Sequence, residues 1–361
     1  MKVAIIGAGL SGMACAYELE QNGIYPTIYE QRHTVGEAYH HVGAMMQLIY
    51  RPVKEPLRYL QEQFNIYLSP LAPMTHIEMN AANVTRTVEG NLGWFFKRGP
   101  DMGTLETQLL SLLKSRIIYN TYMTPELLPE AYDYIVVATG NNGTIPSSMG
   151  LTQTILQTWV RGQVILGEFD PNRLIMWTNT NYLKNGYAYL TPFDKNRASL
   201  IMIVPNTTRE NLDYYWNLFV DLEKLNYTTV KQFEEDHTNN YVYPKQVGNI
   251  MFIGTAGGFM DPFLGFGLFS AIGSGNLAAK AIITGQSFTS LSQTMASTMK
   301  KSIAIRKHVD IMDNKKYDML VTFLGNPLIS QLLYKTNINF LKYTSESLTL
   351  LNKIFPIKPK T

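Results

Sequence analysis

Val3-Ala-Ile-Ile-Gly-Ala-Gly-Leu-Ser-Gly12 decides how this chain folds. A four-residue apolar run leads into three glycines spaced G-x-G-x-x-G. A helical pattern follows through Ala14, Cys15, Tyr17 and Leu19 and stops at Asn22-Gly23. The reading is strand, glycine turn, helix. A second short strand, Thr27 to Tyr29, ends at Glu30. Each residue then has a physical task. Gly7 makes the tight turn, Gly9 lets backbone approach a pyrophosphate, and Gly12 permits close packing of helix on strand. Ser11 belongs to the helix opening, where unpaired N–H groups carry partial positive charge. Glu30 falls at the ~20-residue offset of an acid that binds a ribose 2′-hydroxyl. A glutamate there argues against a 2′-phosphate, and Arg32 is placed to touch the adenosine half. This unit binds a dinucleotide but does not by itself separate FAD from NAD.

A late stretch, Phe252-Ile-Gly-Thr-Ala-Gly-Gly-Phe-Met-Asp-Pro-Phe-Leu-Gly-Phe-Gly-Leu-Phe-Ser-Ala271, carries a second signal. An apolar run, Ile250 to Ile253, enters a turn containing Gly254 and Thr255. Asp261-Pro262 follows, and Gly265, Gly267 and Leu268 open a helix expected to reach about Thr284. Glycines let a ligand sit against the backbone, and the helix start suits an electron-rich partner. Between these ends, Asp133-Tyr-Ile-Val-Val-Ala-Thr-Gly140 reads as a buried parallel strand entering a glycine turn. No second G-x-G-x-x-G marks a separate nicotinamide domain. For three distant pieces to make one pocket they must share a sheet, and FAD is long enough to need all of them. Its ADP half is expected on Gly7–Gly12 and Glu30. Its isoalloxazine is expected by Gly265–Gly267, where the helix start would stabilise negative charge on the reduced ring.

The fold class expected is α/β: a Rossmann-like FAD-binding domain, an inserted antiparallel β-sheet substrate domain and a C-terminal helical segment. The boundaries read 1–75, 97–150 and 245–286 for the FAD-binding domain, 76–96 and 151–244 for the substrate domain, and 287–361 for the helical region. Pro52 to Phe64 is an amphipathic helix and Ile77 to Phe96 a pair of antiparallel strands. From Leu151 the period becomes two, with strands at Gln163–Phe169, Leu174–Asn179, Gly186–Leu190 and Leu200–Val204, then a helix over Arg209–Leu225. His33 to Met46, with His40-His41, reads as a loop beside the cofactor, because adjacent histidines face different sides of any regular element.

Composition excludes several classes. With 361 residues, 45% hydrophobic and 16% charged, the chain can bury a large core. A net charge of +3 and the lack of a basic run speak against nucleic acid. Cys15 is the one cysteine, so neither an internal disulfide nor a cysteine-rich metal site is expected. No apolar run is long enough for a signal peptide or a bilayer span, and the expected location is cytoplasmic.

On these residues the chain resembles the geranylgeranyl reductase family of FAD-dependent oxidoreductases, within the p-hydroxybenzoate hydroxylase-like flavoprotein fold. The likeness rests on Gly7–Gly12 with Glu30, on Arg98 before the Leu105–Leu109 helix, on Ala138–Gly140, and on Gly254 to Ala279. Tyr187-Ala-Tyr-Leu-Thr-Pro192 is similar to the family's aromatic-aromatic-proline signature. The resemblance implies that Glu30 holds the adenosine ribose and that His41 to Ala44, Arg98 and Gly140 contact the cofactor. It implies that Gly267 and Leu268 offer backbone groups to the flavin. Tyr187, Tyr189 and Pro192 would line a cavity for a prenyl chain. Thr255 stands where the family has an aspartate near the ribityl chain, and its hydroxyl can hydrogen-bond a ribityl hydroxyl.

The function expected is reduction of a carbon–carbon double bond of a prenyl lipid by reduced FAD, with no metal. The electron donor would be a ferredoxin-like protein or NAD(P)H. Two other readings stay open: a flavin monooxygenase of a small aromatic, and a flavin- or lipid-binding module without turnover. Ser287 to Thr361 reads as helices with apolar and lysine residues interleaved, a cap on the domain or a point of peripheral contact with a membrane surface.

Overall fold

The computed structural model describes residues 1–141, 144–336, 338–339 and 342–343. Its strands fall into two sheets. The first contains β1 (Val3–Ile6), β2 (Thr27–Tyr29), β6 (Ile117–Ile118), β7 (Tyr134–Val137), β13 (Gln246–Val247) and β14 (Ile250–Phe252), in the order β13-β14-β7-β1-β2-β6. All its pairings are parallel except β13 with β14. β1 is buried throughout, which is why it reads as an unbroken apolar run rather than an alternation. The ends of β1, β7 and β14 lie side by side, so the turns after Ile6, Val137 and Phe252 share one edge.

The second sheet contains β3 (Val42–Met46), β4 (Ala72–Ala81), β5 (Thr85–Lys97), β8 (Thr152–Leu166), β9 (Arg173–Thr178), β10 (Tyr187–Pro192), β11 (Arg197–Pro205) and β12 (Thr228–Val242). Their order is β12-β8-β11-β10-β9-β4-β5-β3, antiparallel except for β4 with β9. Side chains alternate between its faces. On β11, Leu200, Met202 and Val204 pack against α5 (Thr180–Leu183) and α6 (Leu212–Leu222), with Trp216 and Phe219. Ile201 and Ile203 face the other way, into a cavity.

Helix α1 (Leu10–Gln21) follows β1 and packs on α7 (Leu268–Thr284), which follows β14. The two backbones approach closely. A Cβ on Gly275 would lie 2.1 Å from the Ser11 carbonyl oxygen. Around them lie α2 (Pro56–Phe64), with Leu60 and Phe64 buried, and α3 (Leu105–Leu110), capped by Thr104 through the Thr107 N–H, whereas Ile145 of α4 (Thr144–Ser148) packs in a separate cluster with Ile6, Val137 and Phe252. The C-terminal helices are α8 (Phe288–Leu291), α9 (Gln293–Val309), α10 (Asn314–Leu324) and α11 (Pro327–Lys335). The buried Arg51 donates to the carbonyls of Tyr334 and Thr336, anchoring the end of α11. The apolar and lysine pattern expected from 344 onward lies outside the described residues.

Three local expectations differ from the structure. Val42–Met46 is a strand, because its backbone completes the edge of β5 from Val42↔Lys97 to Met46↔Gly93. β3 and the first residues of β4 therefore join the second sheet, although they fall within 1–75. β8 starts at Thr152, and β12 occupies a stretch to which no strand had been assigned. Polar residues on both faces of β12 hid its period.

Candidate functional site

Two joined cavities lie along the shared edge of the first sheet and the face of the second. The smaller, about 740 Å³ with its open mouth, is lined by Gly7, Gly9, Glu30, Arg32 and Gly140 among others. The larger, about 1730 Å³, runs from Gly9 and Ser11 past Arg98 to Gly265, Gly267 and Leu268, beneath Tyr187 and Tyr189. Gly9, Tyr39, Ala138 and Gly140 line both.

The glycines divide by role. A Cβ on Gly7 would sit 2.4 Å from the Ala138 carbonyl oxygen, and φ there is +109°. On Gly12 it would sit 2.1 Å from the Gly7 carbonyl oxygen. On Gly9 it would meet nothing within 4 Å. Gly7 and Gly12 are thus demanded by packing, whereas Gly9 opens onto empty space at the start of α1. Gly12 and Gly254 lie behind the cavity wall rather than on it. Gly254, at φ +58°, donates its N–H to Ser274 Oγ (2.9 Å), and a Cβ there would lie 2.5 Å from Ser11 Oγ. The segments 7–12 and 254–267 therefore touch.

Glu30, at the end of β2, accepts from the backbone N–H groups of Ala8 (2.8 Å) and Arg32 (2.9 Å). These bonds aim its carboxylate at the smaller cavity. Arg98 is held by Glu106 (2.5 Å) and lies 4.4 Å from the centroid of the Tyr39 ring. Gly99 N–H also reaches Glu106 (3.2 Å), so this buried carboxylate fixes the turn after β5. His41 lines the larger cavity beside them. Burial, then the neighbouring Arg98 and His40, lowers its pKa to about 3, so it is neutral near pH 7. Ala44 lies two residues beyond Val42 on β3 and lines the same cavity.

The loop at the start of α7 is braced from two sides. Asp261, 2% exposed, accepts from the Leu264 N–H (2.7 Å) and from the Ser302 hydroxyl of α9. Burial raises its pKa. Tyr187 donates its hydroxyl to the Leu264 carbonyl (2.5 Å) and stacks on Tyr189 at 6.1 Å between centroids. No side chain caps α7 at Gly267, so its first N–H groups stay open next to the cavity. Thr255 lines the cavity as well.

Pro192 is a correction. Tyr187 and Tyr189 share a face of β10, and Pro192 is of opposite parity, on the face of Ala188 and Leu190. It is buried opposite Ala198 and does not line the cavity.

The donor set fits an extended dinucleotide such as FAD. Gly9 opens where a phosphate approaches, Glu30 is presented where a ribose would lie, and α7 begins at the far end. Two buried polar atoms in the walls, His41 Nδ1 and Thr139 Oγ1, have no partner among the described residues. Buried polar groups are normally paired, so a bound molecule is the natural source of their partners.

The chain matches the model of an NAD(P)-binding Rossmann-like domain over residues 5–44. Solved structures match along nearly its whole length. A geranylgeranyl bacteriochlorophyll reductase-like protein from Thermoplasma acidophilum superposes with a TM-score of 0.77 at 13% identity, over 96% of this chain and 98% of that one. The flavin-dependent brominase Bmp2 superposes with a TM-score of 0.70 at 13% identity, over 98% and 100%. The 2-methyl-3-hydroxypyridine-5-carboxylic acid oxygenase gives 0.63 at 15% identity, over 93% and 96%. The fold is that of the FAD-dependent flavoproteins.

The flavoprotein-fold cavity also contains groups that the sequence did not single out. Phe233, Glu235, His237 and Asn239 of β12 line it, alternating along the strand. Burial lowers the His237 pKa to about 4 and raises that of Glu235. A period-two pattern of partly polar residues from 233 to 239 was the available signal. The neighbouring Glu234 and Asp236 masked it.

Proposed function

We propose that the chain binds FAD across the two cavities and is an oxidoreductase that reduces a carbon–carbon double bond of a prenyl or isoprenoid lipid. The observation carrying this reading is the space beside the α7 turn. The cavity wall there is apolar, formed by Ile201, Ile203, Leu174, Met176 and the Tyr187–Tyr189 stack. That wall offers a matching surface to an apolar molecule next to the ring.

When bound, FAD supplies hydride transfer. The chain does the rest. Glu30 holds the ribose, and Gly9 admits the pyrophosphate. The open start of α7 favours negative charge where the reduced ring would carry it. Tyr187, fixed by Leu264, and Tyr189 hold the double bond in line and keep water out. The likeness to the reductase-like protein supports this reading. Likeness to a brominase and an oxygenase makes hydroxylation of an aromatic the competing one. The electron donor is a ferredoxin-like protein or NAD(P)H. Peripheral contact with a bilayer would use α11, on which Leu328 and Leu332 are exposed.

The test is anaerobic reduction of the FAD-loaded protein followed by addition of a prenylated lipid. Reoxidation with a product heavier by two hydrogens is expected. Reoxidation without any change in lipid mass overturns the reductase. An aromatic product carrying one added oxygen, formed only in air with NAD(P)H, installs the hydroxylase. A protein that never takes up FAD removes the enzymatic reading altogether.

A further inference from the structure

The polar groups of the larger cavity are gathered on one edge strand. β12 pairs with β8 alone, and Phe233, Glu235, His237 and Asn239 stand opposite Gly162, Val160, Thr158 and Leu156. Moving inward across the sheet, the cavity face becomes apolar: Val160, then Ile203 and Ile201 of β11, then the tyrosines of β10. A single sheet thus offers a greasy floor with a polar margin.

The margin is not used up by the fold. The His237 ring has no hydrogen-bond partner among the described residues, although its backbone carbonyl accepts from Thr158. Asn239 commits only its amide nitrogen, to the Met260 carbonyl (3.4 Å), and keeps its carbonyl oxygen free to accept. Glu235 faces Asn141 and interacts at longer range with Arg32 and Asp236. Burial raises the pKa of Glu235 and depresses that of His237, so both resist becoming charged.

Charge sets the second half of the argument. Among the described residues lining this cavity, Arg98 is the permanently cationic one, and Glu106 pairs with it. Glu235 and Asp261 contribute carboxyl groups. An anionic end group there would meet the carboxyl groups of Glu235 and Asp261, with Arg32 of the smaller cavity acting only at longer range, and would recover little of the hydration it loses.

We infer that the cavity takes an elongated molecule with its apolar body on the Val160–Ile203–Ile201 floor and an uncharged hydrogen-bonding end, a hydroxyl or carbonyl, against Glu235, His237 and Asn239. It selects against the same chain bearing a phosphate. This deepens the prenyl-lipid reading and rests on it.

The experiment is calorimetric titration of the FAD-loaded protein, in mild detergent, with geranylgeraniol, geranylgeranyl phosphate and a saturated hydrocarbon of equal length. The alcohol is expected to bind at least tenfold more tightly than either. Glu235→Leu and His237→Leu should each weaken alcohol binding about tenfold, as expected when a buried polar partner is lost, and leave hydrocarbon binding as it was. Glu235→Gln keeps size and hydrogen bonding and should retain the preference, which separates recognition from misfolding. Equal or tighter binding of the phosphate overturns the inference. So does an alcohol-to-hydrocarbon ratio unchanged in the Leu variants, or failure of all three ligands to bind. Visible absorbance before each titration reads FAD content independently. A protein lacking FAD that still prefers the alcohol counts against the cofactor reading and for this one.

Discussion

Gly9 and Gly12 stand three residues apart and do opposite work. A methyl group on Gly9 enters open cavity, so Gly9→Ala should lose most of its FAD and, compared without FAD, melt where the unaltered protein does. A methyl group on Gly12 strikes the Gly7 carbonyl, so Gly12→Ala should lose about 1–3 kcal/mol of stability whether or not FAD is present. Visible absorbance of the purified variants and their thermal melts check both. A yellow, fully loaded Gly9→Ala protein would refute the assignment of that glycine to the pyrophosphate. His41 gives a pH prediction at the same scale. Its folded-state pKa is depressed to about 3, so the unfolded chain binds its proton first on acidification. Stability is fully present above the unfolded imidazole value, near 6.5, and is lost as pH falls from there toward 3. His41→Gln should flatten the loss in denaturant titrations between pH 6.5 and 5. An unaltered slope would show that other groups carry it. The glycines and Glu30 were legible from the sequence because their demands are local. His41 was read as part of a loop beside the cofactor and, by resemblance, as a contact to it; its neutral state was not legible, since its burial depends on β5 and Arg98, which arrive from elsewhere in the chain.

At the scale of elements, the 261–266 turn connects the C-terminal helices to the site. Ser302 on α9 donates to the buried Asp261, and Tyr187 on β10 donates to the Leu264 carbonyl. Ser302→Ala removes a partner from a buried carboxyl and should cost about 1–3 kcal/mol. It should also loosen the start of α7, raising free-flavin fluorescence at a given dilution. A stability loss with undisturbed flavin release would confine Ser302 to packing. The helix after Gly267 and the strand before Gly254 could be read directly, because a 3.6-residue period and a short apolar run need no distant partner. β12 could not. Phe233, Glu235, His237 and Asn239 face a cavity that exists only once β8 and α7 are in place, so polar and apolar residues mix along the strand.

For the whole molecule, the site draws on chain from Gly7 to Leu268 and on both sheets. FAD should therefore stabilise the protein as a unit. At one hundred times its dissociation constant it adds about 2.7 kcal/mol, shifting a single thermal transition upward by a few degrees. Two separated transitions, only one of them moved by FAD, would contradict a site shared between the sheets. Gly162 tests the cavity from the opposite side. A Cβ there would lie 2.1 Å from the Phe233 ring, the far end of a flexible side chain. Gly162→Ala should therefore shift Phe233 and change the affinity for long apolar ligands more than it changes stability.

By itself the sequence determined that a parallel sheet carries a dinucleotide turn, that a second glycine turn opens a helix, and that a period-two domain interrupts them. These are short-range consequences of backbone sterics and side-chain period. Tertiary structure alone decided which face of each inserted strand meets the cavity, and so excluded Pro192 and admitted Glu235 and His237. It also decided that residues 7–12 and 254–267 touch. Parity on a strand follows from register, and register follows from partners far away in the chain.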